Sequence, residues 1–324
     1  MKEFKVSPII QSDLQAFDEL FSKELSTKAS ILKVITNYIL KTKGKQLRPI
    51  LVFLGARLVG EVTKSTFSAA YMIELMHTAT LIHDDVVDNS MKRRGFFSIN
   101  ALWKNKIAVL IGDYYLAKGL LHAVENKEYK LLEIVAVAVK EMSEGELLQI
   151  EKARSLKNSE EIYFEIIRKK TATLFVAAMS AGAASSGEVA DESFKKIQKI
   201  AELLGIAFQI KDDLLDYTQS SIIGKPTWND IKEQKITLPL MYALSQASAN
   251  EQKHIKSLLK THANKTHKLK EIVDFVVAKG GIAYAQEKMD EFCSQSIELC
   301  MSFPSNEAQS SIIEIIKYVS SRNK

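Results

Sequence analysis

The sequence predicts an all-α protein, on three observations. Turn-forming residues are scarce: 13 Gly and 5 Pro make 18 of 324 residues, about 6% where average proteins have roughly 12%. A sandwich or barrel needs a turn every 8–12 residues or so, which this composition does not supply. Second, apolar residues recur three and four apart over long stretches, the period of a helix with one buried face. Third, 46% hydrophobic against 26% charged residues excludes general disorder and provides for a large core.

The elements follow in order. Leu14, Phe17, Phe21 and Leu25, then Ile31, Val34, Ile35 and Tyr38, keep the helical spacing and predict an amphipathic helix over 12–41. The segment from Lys43 to Pro49 breaks it, and Pro49 is placed as an early residue of a helix running through Ile50–Leu58. A strongly apolar helix is expected from about Ser65 to Val87. Further helices are expected at about 107–123, 129–150, 159–184, 192–217, 235–247, 268–301 and 307–320. No Pro/Gly/Ser linker is long enough to mark a boundary, so residues 1–324 are read as one domain.

Charge and targeting signals narrow the function. The net charge of +5, from 44 Lys+Arg and 39 Asp+Glu, is mild and dispersed. Without a basic stripe interleaved with aromatics, it gives no reason to expect nucleic-acid binding. The N-terminus lacks an apolar signal region. The uncharged run Thr171–Gly187 falls short of the roughly 20 apolar residues of a membrane span, so no stable membrane insertion is expected. Cys293 and Cys300 lie seven apart, two turns along one helix face and too far for a disulfide. A reducing cytoplasmic location fits.

One internal echo carries the chemistry. Asp84-Asp85-Val86-Val87-Asp88 returns in form as Asp212-Asp213-Leu214-Leu215-Asp216, each at the C-terminal end of an apolar helix. Aspartates at i and i+4 share a helix face, and their like charges destabilise a bare helix. A cation between them removes that penalty, and carboxylate oxygens suit Mg²⁺, which takes its other ligands from water and substrate phosphate. A single DDxxD reads more readily as a solvated acidic helix end; two copies behind apolar helices favour the metal. Lys45, Arg48, Arg93, Arg94, Lys170, Lys225 and Lys235 supply cations for an anionic partner. His77 precedes Asp84 by seven residues on the same face, about 10.5 Å along the axis. Gln209, three residues before Asp212, falls on the face of the second cluster.

These residues resemble the trans-polyprenyl diphosphate synthase family over Gly44–Pro239. The signposts are GKQLRP at 44–49, HTATLIHDDVVD at 77–88, RRG at 93–95, GDYYL at 112–116, GELLQ at 145–149, KT at 170–171, FQIKDDLLD at 208–216, GK at 224–225 and DIKEQKITLP at 230–239. The resemblance implies an isoprenoid-synthase-type helical bundle around a deep central cavity, working as a homodimer. It implies head-to-tail addition of isopentenyl diphosphate to an allylic diphosphate, with two or three Mg²⁺ per site. Carried over by position, Asp84 and Asp88, with Asp85 beside them, form the first motif and hold metals on the allylic diphosphate. Asp212 and Asp213 complete the metal set, assisted by Asp216. Lys45, Arg48, His77 and Arg94 match the isopentenyl diphosphate pocket. Arg93, Lys170, Lys225 and Lys235 surround the allylic diphosphate, and Thr171 and Gln209 lie near the reacting carbons.

Product length depends on what blocks the path behind the first motif. Short-chain members of the family carry aromatics where this chain has Ala79 and Thr80, and neither of those residues blocks a growing chain. Met76, one turn deeper, is flexible enough to narrow the path. The expectation is a long product, about hexaprenyl to octaprenyl, as a precursor of quinone side chains. A farnesyl or geranylgeranyl synthase and a non-catalytic subunit of a heteromeric synthase are the alternatives. The family often has Gly at the positions of Trp228 and Gln234; Trp228 is expected either to cap the site or to pack on the surface.

Overall fold

The computed structural model describes residues 7–42, 44–93, 95–155, 159–217, 228–262 and 266–322. These residues form fifteen α-helices, one π-helical turn and one two-stranded hairpin, as the all-α reading requires. The chain divides into two compact units. The first comprises residues 1–140, 174–198 and 301–312, and the second residues 141–173, 199–300 and 313–324.

In the first unit the expected helix over 12–41 is two helices, α1 (Pro8–Glu24) and α2 (Ser30–Lys41). Ser26 and Thr27 fall at the junction, and the Ala29 N–H donates to Thr27 Oγ1 at 3.3 Å. Such a side-chain acceptor offers the backbone an alternative to the helical ladder. Helix α3 (Leu47–Val59) and helix α4 (Lys64–Val87) are buried over most of their length. A reciprocal capping box between Thr63 and Thr66 fixes the start of α4. Strands β1 (Lys92–Arg93) and β2 (Phe96–Phe97) pair antiparallel where only a break was expected. Helix α5 (Ile99–Glu125) packs on α4, begins earlier than the periodicity suggests, and is kinked at Lys104. Gly112 of α5 lies where His83 passes; a Cβ there would be 2.2 Å from the His83 ring. Helix α6 (Tyr129–Ser155) follows.

The predicted helix over 159–184 is broken in the structure. Helix α7 (Glu160–Ile167) runs into a π-helical turn (Arg168–Ala172), and α8 (Thr173–Ser185) continues beyond it. Single π turns inside α-helices recur at functional sites. In the first unit α8 meets α3 at backbone contact, since a Cβ on Gly182 would lie 1.9 Å from the Val52 carbonyl oxygen.

The second unit contains most of α9 (Asp191–Tyr217), then α10 (Asn229–Lys232), α11 (Leu238–Ser245), α12 (Ala249–His262), α13 (Thr266–Ala278) and most of α14 (Gly281–Met301). The expected helix over 268–301 is thus two, separated at Gly280, whose φ of 76° is a left-handed terminator. The expected helix over 235–247 is the shorter α11, which starts at Leu238 with Pro239 in its first turn; Gln234 before it turns left-handed at φ 58°. Helix α15 (Glu307–Ser321) closes the chain. Cys293 and Cys300 are free, buried thiols. Burial pushes them up, to about 12 and about 11 respectively.

Candidate active site

The first aspartate motif occupies the last turn of α4, and its three carboxylates are not equivalent. Asp85 is buried, while Asp84 is half-buried and Asp88 exposed. Arg93 grips Asp85 Oδ1 with Nε at 2.9 Å and Nη2 at 2.8 Å. Asn100 Nδ2 donates to the Asp85 carbonyl at 3.1 Å, tying the helix end to the start of α5. Asp85 therefore anchors the motif and commits Arg93, leaving Asp84 and Asp88 as the more open pair. Asp88 stays helical (φ −82°, ψ 0°), and its N–H reaches the Asp84 carbonyl at 2.8 Å, so the i, i+4 relation survives at the helix end.

His77 is buried on α4 and lines a largely apolar cavity of about 90 Å³ with Tyr38, Gly44, Leu81, Arg93 and Phe97. Lys45 is exposed at the entry to α3, and half-buried Arg48 holds its guanidinium 5.3 Å from the Phe175 ring centroid. One helical turn behind Asp84, the Thr80 hydroxyl donates to the His77 carbonyl at 3.0 Å. Ala79 and Met76 are buried. Arg94 and Lys225 lie outside the described residues.

The second unit gathers the other predicted residues around a cavity of about 140 Å³ lined by Lys170, Thr171, Gln209, Asp213, Asp230 and Lys235. A hydrogen-bonded relay runs through it. The Thr171 hydroxyl donates to Gln209 Oε1 at 2.7 Å, and Gln209 Nε2 donates to Asp213 Oδ1 at 2.8 Å. The Tyr163 hydroxyl donates to Asp213 Oδ2 at 2.7 Å. The π turn carries Lys170 and Thr171, with Lys170 ion-paired to Glu146. Asp216 accepts the N–H groups of Asn229 (2.8 Å) and Asp230 (3.0 Å), which holds α10 to the end of α9. Lys235 pairs with Glu233 at 2.6 Å.

Burial sets the electrostatics. It raises the Asp213 carboxyl to about 8, with Asp230 adding to the effect, while the Tyr163 and Gln209 bonds oppose it. Burial and Asp216 raise Asp230 to about 6. A cation bound beside these buried acids would favour their ionised forms.

Trp228 neither caps the cavity nor lies on the surface. It is buried in the core of the second unit among Tyr217, Ile231 and Ile236. Trp228 and Gln234 have φ of 41° and 58°, the left-handed region that glycine enters without strain. The backbone thus has the shape that glycine serves, although this chain builds it from side-chain-bearing residues.

Sequence reasoning missed four residues. Glu146 and Asp230 lie inside segments it singled out, GELLQ and DIKEQKITLP. Tyr163, one of two adjacent aromatics on an amphipathic helix, gave no signal. Arg322 lies at the C-terminus, yet its Nη2 donates to Asp212 Oδ1 at 2.5 Å.

The donor set fits a hard divalent cation of a particular kind. Among the described residues no group of three His, Cys, Asp or Glu converges on one point, so a closed protein cage is absent there. Asp84 with Asp88, and Asp212 with Asp216, offer one or two carboxylates at a time. That suits Mg²⁺ completing its sphere from water and phosphate oxygens.

The mostly helical chain matches solved polyprenyl synthases over nearly its whole length, and its fold is the all-α isoprenoid-synthase fold. The chain belongs to the polyprenyl synthetase family, whose model matches residues 29–276, and it is a prenyltransferase. Among curated relatives, the all-trans-nonaprenyl-diphosphate synthase (geranyl-diphosphate specific) of Rhodobacter capsulatus is 31% identical over 98% of this chain and 96% of its own. The octaprenyl diphosphate synthase of Escherichia coli is 30% identical over 99% of both chains. Heptaprenyl diphosphate synthase component 2 of Geobacillus stearothermophilus is 28% identical over the whole of both. Among solved structures, a Caulobacter crescentus polyprenyl synthase complexed with calcium and isoprenyl diphosphate superposes with TM-score 0.89 at 30% identity, covering 98% of this chain and 96% of its own. A Bacteroides thetaiotaomicron geranylgeranyl pyrophosphate synthase gives TM-score 0.83 at 36% identity over 97% of both.

Proposed function

We propose that this prenyltransferase makes a long all-trans polyprenyl diphosphate, about hexaprenyl to octaprenyl, by repeated head-to-tail addition of isopentenyl diphosphate to an allylic diphosphate. The observation that carries the length is the absence of any bulky group at Ala79 and Thr80, behind the half-open carboxylates of Asp84 and Asp88. Nonaprenyl, octaprenyl and heptaprenyl synthases among the relatives support it. A quinone side chain is the proposed destination. The 36% identity to a geranylgeranyl synthase favours a shorter product as the second reading.

In the mechanism, Asp84 and Asp88 of the first motif, and Asp212, Asp213 and Asp216 of the second, would be the carboxylates that hold Mg²⁺, two or three ions in all. Bound there, the metal would supply positive charge to offset the leaving diphosphate. By the resemblance of their motifs, Arg93, Lys170, Lys225 and Lys235 would be cations for the allylic diphosphate, and Lys45, Arg48, His77 and Arg94 would orient isopentenyl diphosphate. The C–O bond breaks with its electron pair leaving on diphosphate, and the isopentenyl double bond forms the new C–C bond to the allylic carbon. Loss of a proton to the departed diphosphate restores a double bond. Thr171 and Gln209, fixed by the relay to Asp213, would lie near the reacting carbons.

The chain acts as one synthase domain over its whole length, in a cytoplasmic homodimer. Helix α5 is long and apolar enough to cross a membrane by length and composition. Its exposed Val109, Leu110, Leu120, Leu121 and Val124, with Tyr129 and Val137 of α6, form an uncovered apolar surface suited to a second copy of the chain. Incubation with farnesyl diphosphate, labelled isopentenyl diphosphate and Mg²⁺, followed by product sizing, tests the reading. Chains of 30–40 carbons are expected, and a product stopping at 20 carbons selects the second reading. Asp84→Ala with Asp88→Ala abolishes turnover; normal activity in that variant refutes the metal assignment.

A further inference from the structure

The C-terminus carries a feature that the reaction as proposed does not use. Arg322 follows directly on α15, and its side chain is 10% exposed. Its Nη2 donates to Asp212 Oδ1 at 2.5 Å and to the Phe208 carbonyl at 3.1 Å. The guanidinium carbon lies 4.1 Å from the Phe208 ring centroid. Asp212 and Phe208 are one turn apart on α9, so the arginine spans that turn and stacks on it. Its Nε is buried and makes no hydrogen bond, so stacking and the two Nη2 contacts hold the group in place. A flexible tail contacting an exposed carboxylate would be largely solvated; this guanidinium is built into the second unit.

We propose that Arg322 is a resident counter-cation for the second aspartate motif, which a divalent ion must displace from Asp212. The inference rests on the assignment of Asp212 as a metal ligand. A guanidinium 2.5 Å from Oδ1 and a metal ion about 2 Å from the same oxygen would place two cations side by side. Like charges at that separation repel, so the Arg322 pair and a metal ion on Oδ1 compete for Asp212. In the metal-free protein Arg322 neutralises and orients Asp212. On metal entry the arginine leaves, and the end of α15 loses its anchor on α9. Arg322 is thus a positioning residue that sets the threshold for metal loading and couples it to release of the C-terminus.

The test uses the full-length protein and Mn²⁺ alone, read as free Mn²⁺ by electron paramagnetic resonance. Arg322→Gln is expected to bind Mn²⁺ about 5- to 20-fold more tightly than wild type, with Arg322→Lys between them because lysine keeps the charge but loses the planar stack. In an Asp212→Asn background the Arg322→Gln effect disappears. Hydrogen exchange at 318–322 in wild type rises when Mn²⁺ saturates the site. Unchanged or weaker Mn²⁺ binding by Arg322→Gln, with Asp212→Asn still weakening it, overturns the latch and leaves the metal assignment intact. Unchanged binding in Asp212→Asn alone removes the metal assignment and the latch with it. Exchange at 318–322 that ignores Mn²⁺ also overturns the latch.

Discussion

Replacing Tyr163 with Phe removes one hydroxyl and leaves the ring in place, and the structure fixes what that hydroxyl does. It lies 2.7 Å from Asp213 Oδ2, both groups are buried, and the opposite oxygen is served by Gln209. In the metal-free protein burial raises Asp213 to about 8, so at pH 6 the carboxyl is mostly protonated and at pH 9 mostly ionised. Burial raises Tyr163 well above its ordinary value, so it remains a donor at both. Losing a hydrogen bond between neutral groups costs about 1 kcal/mol, and losing one to a charge about 2–3 kcal/mol. Urea unfolding in a chelator should therefore show Tyr163→Phe destabilised by about 1 kcal/mol at pH 6 and by about 2–3 kcal/mol at pH 9. The difference of about 1.4 kcal/mol corresponds to roughly one further unit of upward shift in Asp213. In the loaded enzyme the same change should lower activity or apparent metal affinity about 10- to 100-fold, the usual effect of losing a partner behind a metal ligand. Equal costs at the two pH values would refute the assignment of Tyr163 to the charge on Asp213, and a fully active variant would refute its bearing on the site.

Three further predictions follow from the same geometry. The Asp213 carboxyl stays protonated in the folded state up to about 8 but releases its proton near 4 when unfolded, so metal-free stability should fall as pH rises from about 4 to 8; Asp213→Asn should flatten that fall in pH-resolved denaturation, and an unaltered slope would count against it. Ala79→Tyr should shorten the product to farnesyl or geranylgeranyl length on thin-layer sizing, whereas an unchanged length would mean the growing chain takes another path. Gly182→Ala places a Cβ 1.9 Å from the Val52 carbonyl oxygen; neither partner is a flexible side-chain tip, so thermal or urea denaturation should show a loss of about 3 kcal/mol, and a change within 0.5 kcal/mol would show that α3 and α8 separate freely.

The sequence by itself determined the helical class, most helix ends and the aspartate motifs, because each is local. Period-3.6 patterning, caps and i, i+4 pairs are written within one or two turns of chain. The family resemblance, not local patterning, pointed to Trp228 and Gln234 as positions where glycine is common, and both backbones turn left-handed there. Local patterning failed where two apolar stripes abut without a strong breaker, as at Leu25–Ile31. It failed again where a helix widens by one residue, as in the π turn at Arg168–Ala172.

Only the tertiary structure decided which charges meet. Asp85 and Arg93 are eight residues apart, Tyr163 and Asp213 fifty, and Asp212 and Arg322 one hundred and ten. Nothing in the spacing of Asp84, Asp85 and Asp88 distinguishes the buried anchor from the open pair; the hairpin that delivers Arg93 makes that distinction. Nor does any local pattern mark an arginine at the C-terminus as the partner of the second motif. Hydrophobic periodicity reports which face of a helix is buried, while the pairing of polar groups depends on which faces the packing brings together, and that information is spread over the whole chain.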